Sequence, residues 1–492
     1  MVKGVLIMKE GFDHKKYVKI QSEKIREKFN SVDKLYLEIG GKLFDDTHAS
    51  RVLPGFKSDA KISVLKELRK DLEIIYCINA GDIEKNKTRG EYGITYDNEV
   101  IKLINKSKKM GFSVNSVVIT LYNNQVSVNK FIKKLERNGI KTYIHTFTKG
   151  YPTDVDTIVS EEGYGANPYI ETTKKLILVN APGAGSGKLA TCLSQIYHEN
   201  KRGINASYAK FETFPVWNLP LKHPVNIAYE AATADLKDNN MIDPFHLEKY
   251  GVTTVNYNRD IEMFPVLKDI LKKVTGKDVY YSPTDMGVNM VGNCITDDEV
   301  VKNASKQEIL RRYYTALCDQ RKGRLSEEVV YKIELLMNKA GISVKDRKVI
   351  EPAIKKFELT NMPSTAIELH DGRIITGTTT NLLGPSSSLI LNALKALANI
   401  DDEVHLISPD VIEPIQRLKT EHFRNTNPRL HTDEILIALS MCATSDEKAE
   451  LAMKQLYKLR GCEMHSTVML SHVDEKVLKR LGINITCEPV YK

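Results

Sequence analysis

The chain has 492 residues and a formal charge of +8, with 27% of its residues charged. That length exceeds what one ordinary core organises and predicts about two to four domains. The charge is spread as Lys/Glu mixtures such as KKLERNGIK and RRYYTALCDQRKGR, a pattern of solvated helix faces that argues against a nucleic-acid partner. Seven scattered cysteines form no CxxC pair and no Cys/His spacing suited to zinc, which disfavours a disulfide framework. No apolar run reaches the ~18 residues of a membrane span, and no signal-peptide pattern opens the chain. A cytoplasmic protein with reduced thiols and no membrane partner is expected.

Residues 12–30 (FDHKKYVKIQSEKIREKFN) carry an amphipathic helix pattern. Strands and helices then alternate. KLYLEIG (34–40), EIIYCIN (73–79), VNSVVIT (114–120) and IKTYIHTF (140–147) read as strands, with helices at Ala60–Arg69, Asn98–Lys109 and Val126–Asn138 between them. Further strands fall at 176–179 and 205–211. Nearly continuous apolar strands separated by helices predict an α/β fold with a doubly wound, mainly parallel sheet.

Prolines at 215, 220, 224 and 244 break the middle of the chain into short pieces, followed by a helix at 260–275 and a strand, VYYS, at 279–282. From 297 to 358 the pattern is almost purely helical. A hairpin at Asp371-Gly372 then reopens an α/β or α+β pattern, with a strand EVHLIS at 403–408 and two more near the C-terminus. The expected domains are 1–295 (phosphate- or nucleotide-binding-like α/β), 296–360 (helical) and 361–492 (smaller α/β or α+β).

The chemistry gathers at KLILVNAPGAGSGKLATCLSQI, which starts at Lys175. Strand, glycine loop, lysine and helix form the layout of a phosphate cradle, in which backbone N–H groups and an ammonium meet an anion. Gly183, Gly185, Ser186, Gly187 and Lys188 are the expected phosphate-binding residues, joined by Lys42 from the loop after the first strand. The match is P-loop-like but atypical. A Walker loop has glycine where this chain has Pro182, and a magnesium-binding Ser or Thr where it has Leu189. Ser186 and Thr191 are the hydroxyls nearest to the missing one.

Ligands bind outside the carboxyl ends of such strands, so the polar residues there are further candidates. In GGKLFDDTHASR, Asp45 and Asp46 are suited to a base or a metal, with His48 as acid/base and Arg51 as anion clamp. Helix capping by Asp46 is the competing reading. Asp154 and Asp156 in TDVD suit a metal or a cap. TGTTTNLLGPSSS (376–388) opens a helix and suits either an anion or a cap. Neither HExxH nor GxSxG occurs, which disfavours a zincin and an α/β-hydrolase.

The runs YLEIGGKLFDDTHASRVLPGF, KGYPTDVDTIVSEEGYGANPYIETT, NAPGAGSGKLATCLSQIYHE and FETFPVWNLPLKHPVNIAYEAATADL together resemble a bacterial family filed as a domain of unknown function. The resemblance covers the full chain. It implies a cytoplasmic protein with a nucleotide-binding-like N-terminal region, a helical subdomain and a distinct C-terminal domain. It carries over no catalytic residue. Some relatives bear the label ATP-dependent zinc protease, which the absent motifs do not support here. Family members begin near MKEGFD, which points to Met8 as the start.

The leading expectation is an enzyme acting on a small phosphorylated molecule or nucleotide, by phosphoryl transfer or ATP-driven ligation with Mg²⁺. Alternatives are a non-catalytic nucleotide or metabolite sensor, and an enzyme that uses a phosphosugar or dinucleotide without cleaving it. A homo-oligomer is left open.

Overall fold

A computed structural model describes residues 9–89 and 93–491, so the start expected at Met8 lies outside the described residues. The chain forms two compact units, one of Glu10–Glu230 with Asp238–Ala304, the other containing Ala231–Lys237 and Ser305–Lys492.

In the first unit, α1 (His14–Asn30) is capped by Asp13, whose carboxylate accepts from Lys16 N at 2.9 Å. It buries Tyr17, Gln21, Ile25 and Phe29, four residues apart, which is the one-faced spacing read from the sequence. Then come β1 (Lys34–Ile39), α2 (Thr47–Val52), α3 (Ala60–Glu67), β2 (Leu72–Asn79), α4 (Tyr96–Lys109), β3 (Ser113–Thr120), α5 (Val126–Arg137), β4 (Lys141–Ile144), α6 (Val155–Ile158), β5 (Leu176–Asn180), α7 (Lys188–Lys201), β6 (Ala206–Phe211), α8 (Asn258–Thr275) and β7 (Gly287–Val288).

The seven strands form one sheet in the order β7-β6-β1-β5-β2-β3-β4, and every neighbouring pair is parallel. This is the doubly wound α/β sheet expected. On one face Tyr36, Cys77, Val118, Ile177, Val179 and Tyr208 pack with Cys192 and Ile196 of α7 and Phe264 and Ile270 of α8. After β1 the chain moves toward the β4 edge to form β2; after β5 it moves toward the β7 edge to form β6. Since β1 and β5 are neighbours, their departing loops open a crevice at a topological switch point, where α/β sheets bind ligands.

The strand expected at 279–282 does not form. Tyr280 is buried instead, with its hydroxyl at 2.8 Å from that of Ser207, and β7 takes the place beside β6.

α9 (Asp298–Arg321) begins in the first unit and ends in the second. The second unit continues with α10 (Glu327–Lys339), α11 (Ile350–Thr360), β8 (Ser364–Glu368), β9 (Ile374–Thr378), α12 (Pro385–Ala398), α13 (Thr432–Cys442), β10 (Glu463–Ser466), α14 (His472–Leu481) and β11 (Asn484–Cys487). Its sheet is mixed, β9-β8-β10-β11, with only β10 and β11 parallel. EVHLIS forms no strand; its adjacent Leu406 and Ile407 are both buried, and a strand burying one face would alternate them. No helix among the described residues is long and apolar enough to cross a membrane.

Candidate functional site

The glycine loop lies at the switch point, between the buried strand β5 and α7. Gly187, the residue before α7, has φ 79°, the left-handed region that glycine enters without strain. A Cβ there would also stand 2.8 Å from three atoms of Thr120, so the site excludes any side chain. Gly183 lies so close to the Tyr96 hydroxyl that a Cβ would overlap it. Protein packing therefore requires two of the loop's glycines, whatever else they do. The carbonyls are also tied down: Ser186 Oγ donates to Gly183 O at 2.9 Å, Thr120 Oγ1 to Ser186 O at 3.0 Å and Asn79 Nδ2 to Gly185 O at 3.3 Å.

With its carbonyls held inward, the loop leads into a 14-residue helix that no side chain caps. The first four N–H groups of a helix have no partner within it, and its dipole favours an anion there. Asn180, at the base of the loop, is 2% exposed. The hydroxyls nearest to the missing magnesium ligand are committed elsewhere: Ser186 to Gly183 O, and Thr191 to Gly187 O at 3.0 Å.

Lys188 extends toward β1, where its ammonium stands 3.6 Å from the Glu38 carboxylate. The parallel register places Glu38 beside Val179 of β5 on one side and Lys210 of β6 on the other. Tyr208 donates to Glu38 at 2.9 Å, and Lys210 pairs with Glu212 at 2.7 Å and with Asp260 in the first turn of α8. Burial works against the Lys210 charge, yet Asp260, Glu212 and Glu38 outweigh it and hold its ammonium above the usual range. Burial pushes the Glu212 carboxyl up to about 7, despite the pull of Lys210 and helped by the repulsion of Asp260 and Glu38. Trp217 covers this end, packed so closely on Gly287 that a Cβ there would lie 2.5 Å from its ring.

The loop after β1 is organised by Lys61, which is 2% exposed. Its ammonium donates to Gly40 O at 2.8 Å and Lys42 O at 3.0 Å and pairs with Asp46 at 3.2 Å. Asp46 also caps α2, accepting from Ala49 N at 3.2 Å. Asp45, with φ 53°, pairs at 2.7 Å with Lys106, about 15 Å along α4 from the Tyr96 that touches Gly183. His48 lies edge-on to Phe214 and Tyr229, with ring centroids 5.5 and 5.8 Å away. Lys42 and Arg51 are half-buried on the same segment.

Asp154 and Asp156 stand apart from this group. Asp154 caps α6 through Thr157, accepting from its N–H at 3.1 Å, and Asp156 pairs with Lys273. Lys273 lies about 20 Å along α8 from Asp260, at the end remote from the crevice. Among the described residues, no three His, Cys, Asp or Glu side chains gather as a protein-only metal site requires. Glu38, Tyr208, Lys210, Glu212 and Asp260 lie outside the motifs that the sequence offers. A signal was present in LYLEI and SYAKFE, where polar residues recur at every second position toward the carboxyl ends of apolar strands.

The fold and crevice define a doubly wound α/β protein with a glycine loop at its switch point. Two family models cover almost all of it: "Domain of unknown function DUF1846, N-terminal" matches residues 10–341, and "Domain of unknown function DUF1846, C-terminal" matches residues 345–492. The chain belongs to this family. It is 56% identical to the "UPF0371 protein" of Clostridium botulinum (strain Alaska E43 / Type E3) over 493 aligned positions, covering 98% of each chain. Its likeness to the "UPF0371 protein" of Clostridium tetani (strain Massachusetts / E88) is the same, 56% over 98% of each chain.

Proposed function

We propose that the crevice between β1 and β5 binds a small phosphorylated molecule, a nucleotide or a phosphorylated metabolite, on the loop 183–188. The observation that carries this reading is Lys188, which opens an uncapped helix at the switch point with its ammonium turned across the crevice to Glu38. An anion placed there meets the helix N-terminus and a lysine together. Phosphoryl transfer or ATP-dependent ligation is the chemistry that such a cradle serves most directly, with Glu38 and Glu212 as the carboxylates nearest to hand. Asp46 acts through Lys61 as a support of the neighbouring loop, and His48 as part of its aromatic packing. A cytoplasmic setting goes with a small phosphorylated metabolite and with seven cysteines, none of them in a disulfide.

Thermal-shift measurements against ATP, GTP, NAD(P) and sugar phosphates test the reading. Stabilisation by at least one of them, lost in Lys188→Ala, is the expected result. No stabilisation by any, with Lys188→Ala behaving as wild type, sinks it. The sensor reading has its own support in Leu189 and in the engagement of the Ser186 and Thr191 hydroxyls. Tight binding without turnover selects it.

A further inference from the structure

We propose that the phosphate ligand of this crevice enters together with a divalent cation of the magnesium type, and that Glu38 is the protein carboxylate on that cation. The inference rests on the phosphate-binding reading above and adds to it the metal, its position and its protein ligand.

Position is the first argument. Glu38 is the last residue but one of β1, the strand next to the glycine-loop strand, and the two run parallel in direct register. Its carboxylate stands 3.6 Å from the cradle lysine, so a phosphate on Lys188 is brought within a cation's breadth of Glu38. Magnesium needs few protein ligands. It is held by one or two carboxylates, with phosphate oxygens and water completing an octahedron. The hydroxyl that usually follows the lysine is absent at Leu189, which leaves a strand-end carboxylate as the protein's contribution.

Charge is the second, independent argument. The crevice gathers three carboxylates, Glu38, Glu212 and Asp260, against two ammonium groups, Lys188 and Lys210. Lys210 is taken up by Glu212 and Asp260, which leaves Lys188 as the close cation for Glu38. A polyphosphate that draws Lys188 away strips Glu38 of that cation and adds several negative charges to a crevice where Glu38 and Asp260 alone already match both ammonium groups, so positive charge falls short. In a half-buried setting such a deficit is costly. A divalent cation shared by phosphate and Glu38 removes it. Among the described residues no three His, Cys, Asp or Glu side chains are placed to hold a metal ion by themselves, Glu212 and Asp260 being turned to Lys210, so the phosphate completes the cation's coordination.

Calorimetric titration of the full chain with inorganic pyrophosphate, with and without Mg²⁺, tests this. In wild-type protein Mg²⁺ is expected to tighten pyrophosphate binding by about tenfold or more, while Mg²⁺ alone produces no heat of binding. Glu38→Gln is expected to tighten Mg²⁺-free binding, because the crevice loses a negative charge and Lys188 its carboxylate partner, and to lose the Mg²⁺ increment. Glu38→Asp retains part of it, which guards against reading a folding defect as a ligand defect. Pyrophosphate binding that ignores Mg²⁺, or a full increment in Glu38→Gln, overturns the assignment while leaving the phosphate site intact. So does binding that tightens as pH falls without a metal response, because a proton then supplies the missing charge. A wild-type protein that binds pyrophosphate under neither condition overturns the phosphate reading, and this one with it.

Discussion

Lys61 carries a full charge to a position 2% exposed, where two carbonyls and the Asp46 carboxylate surround it. Removing one partner of a buried pair leaves the other uncompensated, so Lys61→Met should cost about 3–5 kcal/mol in urea unfolding. Asp46→Asn should cost less, because the ammonium keeps its two carbonyls. Equal costs for the two variants would count against this account of the loop. Glu212 sets a pH dependence of definite sign. Its carboxyl lies near 7 in the folded chain, raised from 4.5. Below both values the two states hold the proton alike. Between them the unfolded chain gives it up while the folded chain keeps it, so stability falls as pH rises through that window. Glu212→Gln should flatten the slope between pH ~5 and ~7.5, read from urea midpoints. A slope unchanged in Glu212→Gln would falsify the assignment. Neither behaviour was legible in the sequence: Lys61 sits in an unremarkable amphipathic helix, and Glu212 becomes unusual only when β6 and α8 bury it.

At the scale of elements, the glycine loop and the helix after it were readable, because strand, glycines and helix follow one another in the chain. Which glycines are indispensable was not. Gly187 and Gly185 both have positive φ, 79° and 73°, but only Gly187 has a neighbour within reach of a Cβ. Gly185→Ala should therefore cost about 1 kcal/mol of backbone strain. Gly187→Ala should cost at least twice that, since Thr120 must also give way, and thermal melting of the two variants makes the comparison. Equal losses would mean that Thr120 yields freely. The acidic pair at 154–156 shows the opposite limit. Its spacing suited a metal or a cap, and α6 uses Asp154 as a cap while Lys273 draws Asp156 to the far end of α8.

At the scale of the molecule, two units divide the chain, and each has its own buried charge. In the second, Arg347 is fully buried. Its guanidinium donates to Thr486 Oγ1 at 2.8 Å, Met464 O at 2.9 Å and Asn484 O at 3.0 Å, and pairs with Glu463 at 2.5 Å. It thereby clamps β10 to β11. Arg347→Met should lower the stability of this unit by about 3 kcal/mol, the low end for a broken buried pair because Arg311 still meets Glu463 at 2.7 Å. Hydrogen exchange locates the effect: faster exchange is expected in β8–β11, with β1–β3 unchanged. Equal acceleration in both sheets would show that the units unfold as one.

The sequence by itself determined the α/β class, the order of the strands from β1 to β6 with the longer helices between them, and the glycine loop between β5 and α7. These depend on periodicity and on residues a few positions apart, and the chain carries both directly. Tertiary structure alone decided strand order and register. These bring Glu38, Lys188, Lys210, Glu212 and Asp260, separated by up to 222 positions, into one crevice and send Asp156 elsewhere. The reason is physical: register fixes which side chains share a face and an edge, and burial then sets the charge each can carry.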